Sequence, residues 1–515
     1  METERYDVVI IGSGLGGLLC AQTMSEEGYK VCVLEKNRQI GGSLQTFIRD
    51  RVIFDTGVHY IGGLDEGQAL YKFFKYYGLM GNIKLERMDE NHFEEITIAG
   101  ETEPYYYGMG YENFKRILTE RFPEEEKAIA DYCTMLTEIC NAFPMYNAEI
   151  GDDLTMAEKF LYINAKQYFI ELTSNVRLRN VLAATNVLYA GEPDTTPLYM
   201  HALVVNSYIE SSYKPINGSS QIASFLTRNI RRRGGKIWNK AEVVKVVMDE
   251  QDERVSHVQL KDGRNIFGTN FISDIHPALL MSYLDTDKIR KAYRNRIMSL
   301  KNSSSILIVN VVMKKNAFKY SSRNIYHYET EDVWDTANYT ADQWPLSFAL
   351  YMGASSRSPE YAEGVSILTY MKMEEVEKWG HTFNIVSNEE DRGPEYDQFK
   401  KEKSEKLFDL VEKRIPGFKQ AIHSYTASTP LTYRDYIGTV DGSIYGIAKD
   451  SNDPVKTFIS PRTKIPNLLL TGQNLHMHGV YGVTVGAIKT CSELVGLKYL
   501  MDKIAAACQE EVPVK

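Results

Sequence analysis

The sequence is poor in every feature that would take it out of the ordinary reduced, globular class. Its six cysteines include no C-x-x-C pair and no metal-ligand spacing. That argues against structural disulfides and against a metal site, and for a reduced, cytoplasmic setting. Cys20 and Cys32 read as small buried thiols. No run of eighteen or more apolar residues occurs, so no helix is expected to span a membrane. A first strand expected from about residue 7 leaves no room for a signal peptide. Positive charge is also scarce: the net charge is -9, whereas a general nucleic-acid binder needs a basic face. The runs Arg231–Arg233 and Glu124–Glu126 read as solvated helix faces. Tyrosine is the exception, with 34 residues, fitting interlayer packing or the lining of an apolar pocket.

What is present begins at Tyr6–Gly42, within a chain of 515 residues long enough for two or three lobes. Val8–Ile11 is a β-branched run of the kind buried on both faces of a sheet. It leads into Gly12-Ser13-Gly14-Leu15-Gly16-Gly17, a G-x-G-x-x-G. A helix over 18–27 follows, ended by Gly28, and a second buried strand, Val31–Leu34, delivers Glu35. In such a β-α-β unit Gly12 permits the tight turn and Gly14 lets backbone approach a pyrophosphate. Gly17 lets helix pack on strand, and Glu35 can accept from a ribose hydroxyl. The helix N-terminus offers free N–H groups and the positive end of its dipole. Gly41-Gly42 just beyond Glu35 suggests backbone running close to a bulky ligand.

Residues 52–63 (VIFDTGVHYIGG) are glycine-dense without helical period and read as a loop beside something flat. Residues 68–143 read as mainly helical, with Tyr111–Arg121 one helix and Pro123 opening another. Thr155-x-x-Glu158 is a capping box for a helix continuing to Leu172. This lobe has no catalytic signature and resembles a lid or a substrate domain. An amphipathic helix, 223–233, closes at Gly234-Gly235. Strands are then expected at Lys236–Trp238, 242–248, Val255–Leu260, 264–267 and 270–273. Residues 303–313, 346–352 and 366–371 predict a second, antiparallel sheet flanked by helix 395–414. Finally, the buried run Asn467–Leu470 reaches Gly472-Gln473, and a glycine-rich loop (His476–Gly482) opens a helix expected to run to about Leu500. This is a second strand–glycine–helix junction, whose helix N-terminus would face an electron-rich ligand edge.

As a set these motifs resemble the flavin amine oxidase and phytoene desaturase superfamily. Phe54–Gly62 (FDTGVHYIG) looks particularly like its carotenoid isomerase and retinol saturase branch. Asn217–Gly235, Thr429–Thr432, Gly442–Gly446 and Leu470–Gln473 are similar to that branch as well. The resemblance implies an α/β architecture: a discontinuous two-dinucleotide-binding, Rossmann-like FAD domain and a mixed α+β substrate domain containing an antiparallel sheet and a helical lid. The FAD domain would be assembled from residues 1–67, 213–300 and 441–515. The substrate domain would comprise helical residues 68–212 and the sheet and helices of 301–440.

Carried onto this chain, the resemblance assigns Gly12, Ser13, Gly14, Leu15, Gly16, Gly17, Glu35 and Lys36 to the ADP half of FAD. Gly41, Gly42 and Ser43 would pass the ribityl–pyrophosphate region, and the backbone of Val243 would meet adenine. Gly472, Gln473, Gly482 and Val483 would approach the ribityl chain and isoalloxazine. Many members carry Asp where this chain has Gln473, which can still hydrogen-bond a ribityl hydroxyl.

The implied chemistry is hydride transfer at flavin N5 to or from a C=C bond of an apolar, retinoid- or carotenoid-like polyene, giving saturation, desaturation or isomerisation. Proton-donor candidates are His59, Tyr60, His476, His478 and Tyr481, which fall in the two loops expected near the ring. Two other readings are an amine-oxidase-like flavoprotein and a non-catalytic prenyl-protein binder of GDP-dissociation-inhibitor type. In the latter the nucleotide fingerprint is eroded, whereas here it is intact. With one fingerprint, electrons are expected from a small diffusible donor or a partner protein. The substrate class predicts a peripheral, membrane-touching surface in 100–210 or 315–350, where Tyr105-Tyr106-Tyr107 is an aromatic cluster.

Overall fold

Strand β1 (Arg5–Ile11) is buried on both faces from Val8 onward. It runs parallel to β2 (Val31–Leu34) on one side and to strand Asn265–Ser273 on the other. The structure is a computed structural model, describing residues 4–151, 153–386 and 390–509. Between β1 and β2 the chain crosses over as helix α1 (Leu15–Glu26), eleven of whose twelve residues are buried. An all-round apolar helix needs cover on every side. Here the sheet, helix Ser220–Arg232 and helix Gly479–Val495 supply it. Gly28, at φ +83°, ends the first helical excursion.

The first sheet runs in the order 236–238, 31–34, 5–11, 265–273, 255–260 and 243–248, and Leu468–Leu470 adds beside 265–273. The chain thus returns to its N-terminal sheet a second time, nearly 200 residues after strand 265–273, pairing Phe271 with Leu468 and Ser273 with Leu470 in parallel. The two expected strands 264–267 and 270–273 are one nine-residue strand. Gly268 does not break it. The glycine lets β1 lie close, since a Cβ there would meet Val9 Cγ2 at 2.9 Å.

The second sheet has the order 422–428, 306–313, 364–370, 347–352, 324–328, 94–98 and 105–107. It is antiparallel except where 324–328 runs parallel to 94–98. Strand Ile306–Met313 is buried throughout, as a central strand covered on both faces must be. Helix Gly393–Arg414 packs against edge strand Ile422–Ser428.

Several expectations are corrected. Residues 68–143 hold the three expected helices, Ala69–Tyr76, Tyr111–Arg121 and Glu126–Asn141, but also three strands that were not expected, Leu85–Arg87, Glu94–Ile98 and Tyr105–Tyr107. The latter two complete the second sheet, and runs this short carry no readable period. Tyr105 and Tyr107 are therefore core residues and not a membrane-facing cluster. Residues 52–63 contain strands Val52–Asp55 and Ile61–Gly62 in addition to loop. The helix expected over 155–172 is two, Asp153–Leu161 and Ala165–Leu172. Asn164 bridges to Pro197 and caps the second helix by accepting from the Gln167 amide. Thr155 falls inside the first of these helices, as its third residue. The C-terminal helix breaks at Gly496, φ +94°, so that Leu497–Gln509 is a separate helix packed on Ala69–Tyr76. Residues 510–515 of the last expected segment lie outside the described residues. No described helix is long and apolar enough to cross a membrane.

Candidate functional site

The carboxyl ends of β1, β2 and strand 265–273 open into a cavity, where a parallel sheet characteristically binds its ligand. The turn after β1 requires glycine at Gly12, φ +99°. Glu35 accepts from the Ser13 amide (3.1 Å), the Ser13 hydroxyl (2.5 Å) and the Asn37 amide (2.8 Å). The Ser13 hydroxyl in turn accepts from the Gly41 amide at 3.1 Å. One serine therefore ties the first glycine motif to the acid and to the second glycine motif. Gly42 comes so close to the loop that a Cβ on it would lie 3.0 Å from Gly14 Cα. Lys36 turns its ammonium out of this cluster to donate to the Asp435 carbonyl at 2.8 Å. Burial pushes its pKa below the usual lysine value.

Asp274, directly after strand 265–273, was not singled out by sequence reasoning and stands at the centre of the glycines. A Cβ on Gly14, Gly16 or Gly472 would lie 2.5, 2.6 or 2.5 Å from one of its carboxyl oxygens. Burial pushes this carboxyl up to about 7, against the lowering effect of the Gly17 and Gly14 amides, and nearby Glu35 adds to the rise. The signal available in the sequence was positional: an acid at the end of a buried strand, as Glu35 is.

The cavity continues from this polar end past the loop 472–483 to an apolar one. Gly12, Ser13, Gly14, Leu15, Gly16, Glu35, Lys36, Gly41, Gly42, Ser43, Val243, Gly472, Gln473 and Val483 all line it. Gly17 and Gly482 stand behind the wall as packing glycines. Their Cβ positions would meet Gly12 O at 2.3 Å and Met477 O at 2.5 Å. Lys449 braces the second loop from beneath, donating to the carbonyls of Thr457, Asn474 and Leu475 at 2.8–3.0 Å. Burial lowers this lysine to about 7.

At the apolar end, Leu188, Val204 and Tyr208 of the helical lobe face Ile306, Tyr351 and Leu368 of the second sheet. Of the proton-donor candidates, His59, Tyr60, His478 and Tyr481 line the cavity and His476 does not. His476 is half-buried and packs on Phe458, ring centroids 4.6 Å apart. His59 stacks on Tyr351 at 4.7 Å, and burial lowers it to about 4. His478 stacks on Tyr445 at 4.1 Å and is lowered to about 3 by burial, with Lys449 adding to the effect. Both imidazoles are therefore neutral at physiological pH. The Tyr481 hydroxyl is engaged by the Tyr146 carbonyl at 2.6 Å.

The Tyr60 hydroxyl donates to Glu94 Oε1 at 2.7 Å and lies 3.0 Å from the Tyr326 hydroxyl, which reaches that of Tyr351 at 3.2 Å. Glu94 lies in the segment read as helical and had no sequence signal as a site residue. Burial raises it to about 8.

Two motifs that are distant in sequence also meet beside the site. Asp55 accepts from the Ser219 amide and hydroxyl at 2.7 and 2.6 Å. This fixes the start of helix Ser220–Arg232, which packs on α1.

The polar end fits a dinucleotide. Gly12, Gly14 and Gly16 carry no side chain of their own to cover the turn, an acid follows β2, and helix Gly479–Val495 points its N-terminus into the same cavity. His478 Nε2, buried beside that terminus, has no hydrogen-bond partner.

Residues 10–77 match the family model of the NAD(P)-binding Rossmann-like domain. The chain is 27% identical over 556 residues to all-trans-retinol 13,14-reductase of Rattus norvegicus, covering 98% of this chain and 88% of that protein. It is 23% identical over 472 residues to a chloroplastic prolycopene isomerase of Daucus carota, covering 86% and 72%. Among solved structures, putrescine oxidase bound to putrescine shares the fold at a TM-score of 0.65 and 13% identity, covering 98% and 100%.

Proposed function

We propose that this protein is an FAD-dependent oxidoreductase acting on C=C bonds of an apolar polyene of retinoid or carotenoid type, by saturation, desaturation or isomerisation. The observation that carries the reading is the continuity of the cavity. One end is a dinucleotide cradle, and the other is walled by aliphatic and tyrosine side chains of two lobes. The near full-length similarity to retinol reductase and prolycopene isomerase supports the substrate class. The likeness to putrescine oxidase extends to the fold.

In this reading Gly12–Gly16, Glu35 and Val243 hold the ADP half and Gly41–Ser43 pass the diphosphate. Gly472, Gln473 and Val483, with the N-terminus of helix Gly479–Val495, hold the ring end. The flavin, when bound, supplies hydride transfer to or from a C=C carbon. The chain supplies the rest. Leu188, Val204, Ile306 and Leu368 exclude water and align an extended apolar substrate. His478 Nε2 offers a hydrogen bond in the cavity wall. Tyr60 and Tyr351 place hydroxyls of a buried Glu94–Tyr60–Tyr326–Tyr351 chain beside the substrate space, so that a proton can be held there without open solvent.

Electrons come from a small donor or a partner protein. Ile150, Tyr162, Ile170 and Val176 are exposed in the helical lobe, and in this proposal that lobe touches the lipid from which the substrate is drawn. Vesicle flotation tests that contact, and failure to float removes it.

The deciding experiment is the flavin content of the purified protein, followed by anaerobic reduction and mass analysis of incubated retinol and carotenoids. A yellow protein with about one flavin per chain and a mass-shifted or isomerised polyene is expected. A colourless chain that FAD cannot reconstitute, or hydrogen peroxide production on amines with no change in polyenes, overturns the reading.

A further inference from the structure

The glycine loop presents one set of amides to two anions. Asp274 is buried at the carboxyl end of its strand, its amide held by the Ile11 carbonyl at 2.8 Å. Its oxygens sit where the side chains of Gly14, Gly16 and Gly472 would begin, and the amides of Gly14 and Gly17 approach them. These are the groups at the start of α1 that a diphosphate needs. Asp274 also lines the cavity.

Among the described residues no cation is placed to reconcile the two charges. The β1–α1 loop and Gly472 carry no ionisable side chain against Asp274, and the end of β2 brings a second acid, Glu35. Lys36 is committed to the Asp435 carbonyl. On Asp274's own loop, His276 Nε2 pairs with Asn302 Oδ1 at 2.9 Å and burial lowers its pKa, disfavouring the charged form.

We propose that Asp274 is a ligand of the bound dinucleotide that carries a proton whenever the diphosphate is in place, so that binding takes up one proton and weakens in alkali. The inference rests on the flavin reading only for the identity of the dinucleotide. A carboxyl titrating near pH 7 in the free chain is already protonated in mild acid and must gain a proton above neutrality. The sign is therefore fixed: uptake close to zero at about pH 6, rising toward one by about pH 8.5, with affinity falling up to tenfold per pH unit over that upper range.

The test is calorimetric titration of the flavin-free full chain with FAD, and separately with ADP, in buffers of different ionisation enthalpy. The Asp274→Asn variant keeps the shape and is expected to bind without proton uptake and with a flat pH profile. Asp274→Ala, which leaves room where Asn could strain the loop, must lose the uptake as well. Native binding without a proton overturns the assignment and leaves the flavin reading standing, as does uptake that survives in both Asp274 variants. Uptake with ADP but no binding of FAD sustains Asp274 and overturns the flavin reading. Binding of neither overturns both.

Discussion

Tyr60 and Glu94 share a buried hydrogen bond of 2.7 Å between the cavity wall and the second sheet. Glu94 Oε2 has no partner, so Tyr60 is the phenol on which this acid depends. Tyr60→Phe is expected to cost on the order of 1–3 kcal/mol, the usual result of stripping a buried polar group of its partner. Urea denaturation measures it, and an unchanged midpoint would remove Tyr60 from this role.

The same acid gives a pH prediction. Its folded pKa, about 8, exceeds the usual 4.5, so the folded chain holds this proton more tightly than the unfolded one. The stabilisation is complete below 4.5 and is lost as pH rises through about 8. Glu94→Gln should therefore melt progressively higher than the native chain as pH rises from about 5 to 9. A melting difference independent of pH would show that Glu94 is ionised throughout.

Two glycines of one motif should differ in whether a second mutation rescues them. The first atom met by a Cβ on Gly14 belongs to the Asp274 side chain, and on Gly17 to the Gly12 backbone. Each alanine substitution is expected to cost about 1–3 kcal/mol by overpacking. Asp274→Ala should recover most of the loss in Gly14→Ala and little of it in Gly17→Ala, as a double-mutant cycle. Equal rescue of both would contradict the geometry.

His476 and His478 are two residues apart and should separate cleanly. His478→Gln is expected to shift the visible absorption of bound flavin, because its ring lines the cavity. His476→Gln, packed on Phe458, should lower the melting temperature and leave that spectrum unchanged. A spectral shift with His476 alone would falsify the placement.

A buried ion pair joins the dinucleotide end to the second lobe. Asp435 is fully buried and accepts from Arg392, from Arg434 at 2.8 Å and from the Asn384 amide at 2.8 Å, while its carbonyl holds Lys36. Arg392→Ala leaves a buried carboxylate with one cation fewer, at a cost of about 3–5 kcal/mol. Weakened FAD retention should accompany it. Guanidinium denaturation and flavin release by ultrafiltration check the two effects together.

Local order alone made the dinucleotide unit legible. Val8–Ile11, the glycines, Gly28 and Val31–Glu35 specify strand, turn, crossover and acid by short-range sterics and by the burial of β-branched runs. The structure reproduces Val31–Leu34 and Tyr111–Arg121 to the residue. The three-residue strands Leu85–Arg87 and Tyr105–Tyr107 were not legible, because their conformation comes from cross-strand partners as distant in sequence as Ser212–Pro215 for the first. Asn164 was missed for a related reason: a bridge to Pro197, and not its neighbours, interrupts the apolar period.

The sequence by itself determined that a β-α-β unit with an acid after β2 exists, because each requirement there is met within about thirty residues. Tertiary structure alone decided what surrounds it. It placed Asp274 inside a ring of glycines from both ends of the chain and set Glu94 behind Tyr60. It also turned Lys36 away and left His478 in the cavity wall while His476 went behind it. These outcomes depend on which buried polar groups meet, and burial is a property of the packed chain that no single segment carries.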